Sequence, residues 1–154
     1  MKKCLYIIIP VLICFLVGYI SGLFQATSLA EWYPYLEKSK LTPPNIVFPI
    51  AWSILYLLMG ISVGLVLLSR SPRKSYIVRL FAVQLFFNFM WSISFFFLQN
   101  PYLGLINILL LDIAVVSYAV RVFHESKAAS ILFYPYIVWV LFATYLNLYI
   151  ALFN

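Results

Sequence analysis

The chain has 154 residues, of which 66% are hydrophobic, 19% aromatic and only 9% charged. That balance excludes an ordinary soluble globular domain, and the length leaves room for one membrane domain with no separate soluble one. The net charge of +6 is carried at the ends of apolar runs rather than in a stripe on a polar surface, so no nucleic-acid partner is expected.

Five apolar runs are long enough to cross a bilayer: residues 5–24, 46–68, 76–98, 102–123 and 130–153. They predict an all-α membrane protein, a five-transmembrane-helix bundle, folded as a single domain over residues 1–154. The first run follows Lys2 and Lys3 but lacks a clear small-x-small cleavage site, and it reads as a retained helix rather than a signal peptide. Cys4 and Cys14 both lie near it, about 15 Å apart along one helix, and cannot bridge each other. One of its faces gathers Cys14, Gly18, Ser21, Gly22 and Gln25. The Gly18-x-x-x-Gly22 spacing, repeated as Gly60 and Gly64 on the second helix, suits close backbone approach, either inside the bundle or between two copies.

Residues 25–45 form a long connection for a compact bundle. Its Trp32, Tyr33, Pro34, Tyr35, Leu36, Pro43 and Pro44 are stiff or apolar, which predicts an ordered lid or an interfacial aromatic belt rather than a flexible tether. On the second helix Phe48, Trp52, Tyr56 and Met59 share an arc at helical spacing. On the third, Gln84, Asn88, Trp91, Ser92, Phe95 and Gln99 do so, and amides in hydrocarbon must face protein or an enclosed space. Asp112 lies at the centre of the fourth. No second ionisable residue shares its depth, so a protonated, hydrogen-bonded structural acid fits it better than a proton relay. On the fifth helix Trp139, Ala143, Leu146 and Asn147 fall together.

An odd number of spans puts the two termini on opposite sides. Lys2, Lys3, Arg70, Arg73, Lys74, Arg79, Arg121 and Lys127 collect at one end, whereas the other has Lys38 and Lys40 beside Glu31 and Glu37. The positive-inside bias then predicts a cytoplasmic N-terminus and an external C-terminus. In that orientation the aromatic arcs wall a cavity opening outward beneath the loop, although an aromatic stripe can equally be packing. Conventional catalytic chemistry is not legible. His124 is the sole histidine and lies at the basic end, remote from the aromatic arcs, and there is no HExxH, CxxC or phosphate-cradling glycine loop. No metal site is expected, and no required cofactor.

Four strings carry a resemblance: WYxxLxK at Trp32 to Lys38 followed by Pro43-Pro44, then FPxxWxxLYxxMGxS from Phe48 to Ser62. Gln84-x-x-x-Asn88-x-x-Trp91-Ser92-x-x-Phe95-Phe96 and PYxxWxxFATYLN from Pro135 to Asn147 complete it. Together they resemble the TspO/MBR family, the tryptophan-rich sensory proteins related to the mitochondrial translocator protein. The resemblance implies a five-helix bundle, often a homodimer, in a bacterial cell membrane, with a pocket on the side of the first loop that takes porphyrins. By position, Tyr33, Trp52, Asn88, Trp91, Phe95, Trp139, Ala143 and Leu146 match that pocket, and the helical arcs add Phe48, Tyr56 and Asn147. It also implies that Trp52 and Trp139 are redox partners in light-dependent breakdown of protoporphyrin IX.

The chain departs from the family pattern at Lys38-Ser39-Lys40-Leu41-Thr42-Pro43-Pro44, which lacks one proline and one tryptophan of the loop. After Tyr149 no Lys or Arg follows, so a C-terminal sterol site is not expected. The function expected from the resemblance is a porphyrin-binding, stress-responsive sensor or regulator of tetrapyrrole metabolism, needing no cofactor and taking protoporphyrin IX or a haem-like molecule as ligand. An enzyme that degrades protoporphyrin under light and oxygen is the second reading, and a transporter of porphyrin or lipid-like molecules the third.

Overall fold

In the computed structural model, which describes residues 2–154, the chain is helix joined by one longer loop over residues 32–46 and otherwise by short turns, and the described residues contain no strand. The long helices are α1 (Lys2–Glu31), α2 (Val47–Leu68), α3 (Lys74–Trp91), α4 (Pro101–Phe123) and α6 (Tyr134–Phe153). A short α5 (Lys127–Ile131) leads into α6, a single 3-10 turn (Tyr33–Tyr35) sits in the first loop, and α3 continues as a wider π-helical turn over Ser92–Phe97. Five segments are long and apolar enough to cross a membrane: Lys3–Glu31, Val47–Leu68, Lys74–Phe97, Pro101–Phe123 and Lys127–Phe153. With only hydrocarbon around them, such segments must satisfy their backbone internally, and helices do so. The chain is a multi-pass integral membrane protein.

Local chemistry sets the helix starts. The Asn100 side chain accepts from the Leu103 amide at 3.0 Å, and Pro101 follows at the first helical position, where its missing N–H costs nothing. Ser126 caps α5 in the same way through the Ala129 amide at 3.3 Å. The fifth span therefore begins at Lys127, ahead of the expected residue 130, and is interrupted at residues 132–133 before Pro135 enters the first turn of α6.

The first helix departs further from expectation. It runs to Glu31, so the connection starts at Trp32 instead of residue 25. Nothing between Gln25 and Glu31 breaks a helix, and the polar residues there find partners on α3 rather than in water. The Gln25 amide donates to Ser92 Oγ at 2.6 Å, and Ser28 Oγ donates to the Phe96 carbonyl at 2.6 Å.

Two close approaches bind α1 to α2. A Cβ at Gly60 would lie 2.6 Å from Val11 Cγ2 and 2.7 Å from the Val11 amide nitrogen, and one at Gly64 would lie 2.9 Å from Ile7 Cα. The glycines of α2 thus allow backbone-to-backbone contact. Those of α1 act differently: Gly18 faces the Tyr56 ring, and a Cβ there would lie 2.8 Å from the ring's Cδ2, whereas Gly22 faces open space. Identical spacing therefore serves two different purposes on the two helices.

The half of the bundle nearest the basic loops is filled. Tyr118 and Phe133 pack with ring centroids 4.3 Å apart, and Phe81 meets both edge-on. Ser62 Oγ donates to the Ala129 carbonyl at 2.7 Å and lies 3.0 Å from the Tyr118 hydroxyl, tying α2 to α4 and α5. On the flank between α4 and α6, Thr144 Oγ1 donates to Asp112 Oδ2 at 2.8 Å, which supplies the partner the isolated acid requires. The opposite half is where space remains.

Candidate functional site

A cavity of about 600 Å³ occupies that half, within the size range of small-molecule sites. Its deep walls come from α3 and α6. Asn88, Trp91, Ser92, Phe95 and Phe96 enter from α3, and Ala143, Leu146, Asn147 and Ile150 from α6, all of them buried. Phe48, Pro49, Trp52, Ser53 and Tyr56 line it from α2, while Phe15, Gly18, Ser21, Gly22 and Gln25 do so from α1. Tyr33 closes it from the loop.

The π-helical turn explains the α3 wall. The Leu98 amide donates to the Ile93 carbonyl at 2.9 Å, five residues back, and the widened turn brings both Phe95 and Phe96 inside. Phe95 stacks on Trp91 with centroids 5.6 Å apart. The turn ends at Gln99, whose φ of 50° reverses the chain toward Asn100, so Gln99 leaves the expected arc and instead donates to Ser28 Oγ at 3.3 Å.

Most polar groups in the walls are already engaged. The Tyr56 hydroxyl donates to Asn88 Oδ1 at 2.8 Å, and Asn88 Nδ2 donates to the Tyr136 hydroxyl at 2.8 Å. Trp91 Nε1 donates to Asn147 Oδ1 at 3.0 Å, and Asn147 Nδ2 donates to the Pro101 carbonyl at 2.8 Å. Asn88, one of the expected pocket residues, therefore has its amide committed to two tyrosines. Ser21 lies beside the Tyr56 hydroxyl and its buried Oγ makes no well-formed hydrogen bond. It is a lining group that periodicity had assigned to helix packing.

Ten of the eleven expected site residues line this cavity: Tyr33, Phe48, Trp52, Tyr56, Asn88, Trp91, Phe95, Ala143, Leu146 and Asn147. Trp139 does not. Its ring sits behind Phe48, centroids 6.0 Å apart, and against Phe142 at 5.9 Å, with its buried indole N–H unpaired. Helical spacing places it on the correct arc, but the Phe48 ring from α2 comes between it and the space. Trp52, by contrast, is within 6.3 Å of Trp91 and 6.2 Å of Tyr136, centroid to centroid.

The mouth also differs from expectation. The exposed lining residues are Phe15, Tyr19, Gly22 and Leu29 of α1 together with Asn45 just before α2 and Pro49 and Ser53 in its first two turns. The cavity therefore opens sideways along the α1–α2 seam, in the half nearer the first loop, rather than straight out beneath that loop.

Over the top, Lys38 holds the loop together. Its Nζ donates to the carbonyls of Tyr33, Pro34 and Leu36 at 2.9, 3.1 and 3.0 Å and lies 5.0 Å from the centre of the Tyr33 ring. Burial raises the Tyr33 phenol above its ordinary range, so it is neutral at physiological pH. The loop is fastened to α6 twice. Glu37 and Asn154 exchange two hydrogen bonds of 2.7 and 3.1 Å, and the Ser39 and Tyr145 hydroxyls meet at 2.8 Å. Order here comes from a lysine and these fastenings, which offsets the missing loop proline and tryptophan. Lys38→Met should speed amide exchange across residues 33–39 by about tenfold while leaving global stability within about 1 kcal/mol, as read by hydrogen–deuterium exchange and thermal unfolding.

The TspO/MBR family pattern matches residues 10–153. The chain belongs to the TspO/MBR family. It is 42% identical over 150 residues to the tryptophan-rich protein TspO of Archaeoglobus fulgidus, covering 97% of each chain. It is 37% identical over 156 residues to the protein of the same name from Chlorobaculum tepidum, covering 99% of this chain and 98% of that one. The human translocator protein is 32% identical over 120 residues, 76% of this chain and 71% of its own. The TspO/MBR match over residues 10–153 extends over the helices that wall the cavity, so the lining described above belongs to the family-matched part of the chain.

Proposed function

We propose that this protein binds a flat tetrapyrrole, protoporphyrin IX or a haem-like molecule, in the α1–α2-gated cavity and acts as a membrane sensor or regulator of porphyrin level under stress. The observation that supports this most is a cavity of about 600 Å³ walled by Trp52, Trp91, Phe95 and Tyr56, with few uncommitted polar groups. Aromatic rings offer stacking faces to a planar macrocycle. A mouth set in the side of the bundle suits a ligand that partitions into lipid. No histidine lines the cavity, so a metal-free porphyrin should bind at least as well as haem. We further propose a homodimer in a bacterial cell membrane, with the basic loops cytoplasmic and the C-terminal end external.

Gly22→Trp tests the site without disturbing the fold. A side chain at Gly22 enters open space at the mouth, so the variant should keep its thermal midpoint while the affinity for protoporphyrin IX in detergent, read by quenching of tryptophan fluorescence, falls at least about tenfold. Unchanged quenching would remove the cavity as the binding site.

A second reading, light-dependent breakdown of protoporphyrin IX with Trp52 as electron donor and dioxygen as oxidant, is favoured by the indole standing in the wall itself. Trp139, behind Phe48, would take part only through that ring or after it moves. Illumination of wild type beside Trp52→Phe separates binding from turnover: equal bleaching would leave binding alone. Transport of porphyrin or lipid-like molecules draws no specific support from the cavity.

A further inference from the structure

A second concavity, of about 280 Å³, lies on the outside of the bundle at its basic end, between the end of α4 and the start of α6. Val120 and Phe123 of α4 form one wall, and Tyr134 and Ile137 of α6 the other. Phe123, Val120 and Tyr134 are 40%, 56% and 48% exposed, so the walls are free of protein cover. The floor is dry, because its one hydroxyl is spent: Ser130 Oγ donates to the Ala119 carbonyl at 2.8 Å.

The end of the trough is cationic. Lys127 Nζ stands 5.8 Å from the centre of the Phe123 ring, its stem reaching over the apolar wall, and the His124 ring lies edge-on to Phe123 with centroids 6.0 Å apart. Arg121 adds a positive charge on the same helix end. The nearby acid is diverted: Glu125 faces Arg73, 4.0 Å away across the loops.

We propose that this trough is a binding site for one anionic glycerophospholipid, with an acyl chain along Val120, Phe123 and Ile137 and the headgroup phosphate against Lys127 and His124. The choice of occupant follows from charge. An apolar groove at this depth is filled by a lipid chain in any bilayer, but a cationic cap with no free carboxylate beside it discriminates in favour of a headgroup bearing net negative charge. A zwitterionic lipid would bring its own cation to Lys127. Tyr134, on the opposite wall, brings a phenol to the same trough. The inference is independent of the porphyrin reading, since it uses neither the cavity nor its residues.

The full-length protein in detergent, exposed to phosphatidylglycerol or phosphatidylcholine with identical chains and examined by native mass spectrometry, supplies the test. Wild type should retain phosphatidylglycerol about fivefold more strongly, the factor expected for one basic side chain at a membrane surface. Lys127→Gln combined with His124→Gln, both at the rim of the trough, should bring the two lipids to within about twofold. Arg70→Gln, an exposed basic residue in another loop at this end, should leave the preference intact. Equal retention by wild type would overturn the site, as would a preference lost equally in Arg70→Gln, which would signal diffuse charge. Glycerol phosphate in excess should not displace the lipid; displacement would overturn the role of the acyl groove.

Discussion

Gly60→Leu is expected to prevent stable folding. At Gly60 the neighbours of an added Cβ are the Val11 backbone, including its amide nitrogen at 2.7 Å, as well as Val11 Cγ2 at 2.6 Å. Helix backbone cannot rotate aside as a side chain can, so the whole of α1 must retreat. Ordinary overpacking costs about 1–3 kcal/mol, and a clash with main chain should exceed about 3 kcal/mol. The retreat would also part α1 from Tyr56 at Gly18 and unseat Gln25 and Ser28 from α3, so the cavity wall would go with it. Thermal unfolding in detergent reads the effect. A midpoint within about 2 °C of wild type, on the order expected for a change well under 1 kcal/mol, would show that the α1–α2 contact is not a determinant of stability. Gly22→Leu on the facing helix is the internal control, since nothing lies within 4 Å of its Cβ.

The second large effect belongs to Asn88→Leu. Asn88 joins Tyr56 of α2 to Tyr136 of α6 through two hydrogen bonds of 2.8 Å, and all three residues are buried. Leucine has a similar shape but leaves both phenol hydroxyls in hydrocarbon without that partner. An orphaned buried polar group costs about 1–3 kcal/mol, so the single variant should lose about 3 kcal/mol and its porphyrin affinity, as the Tyr56 ring in the wall loses its anchor. The same principle predicts rescue. Asn88→Leu together with Tyr56→Phe and Tyr136→Phe removes both orphaned hydroxyls along with the amide and should recover most of the stability. If the triple variant is no more stable than the single one, shape rather than hydrogen bonding is what Asn88 contributes.

These two positions illustrate how far the residues could be read before the fold was known. Helical periodicity placed Trp52, Tyr56, Asn88, Trp91, Phe95, Ala143, Leu146 and Asn147 on inward arcs, and all of them line the cavity. It also placed Trp139 there, and could not show that Phe48, from another helix, would stand in front of it. Spacing made Gly22 and Gly60 equivalent; one faces space and the other a backbone. The WYxxLxK string was visible, but not that Lys38 would be the hub of three carbonyls. Nor was the π-helical turn legible, because Ser92–Phe97 has no breaker to announce it.

What the sequence by itself determined is the solvent, the number of spans, the sidedness of charge and the angular face of each helix. Hydrophobicity, helix length and the 3.6-residue period are local quantities, and they survive whatever the neighbours do. Only the tertiary structure decided which aromatic ring shields which, where α1 and α2 touch, and that the cavity opens through the side of the bundle. Those outcomes depend on the relative depth and tilt of helices that meet from distant parts of the chain, and side chains competing for the same space settle them jointly rather than one segment at a time.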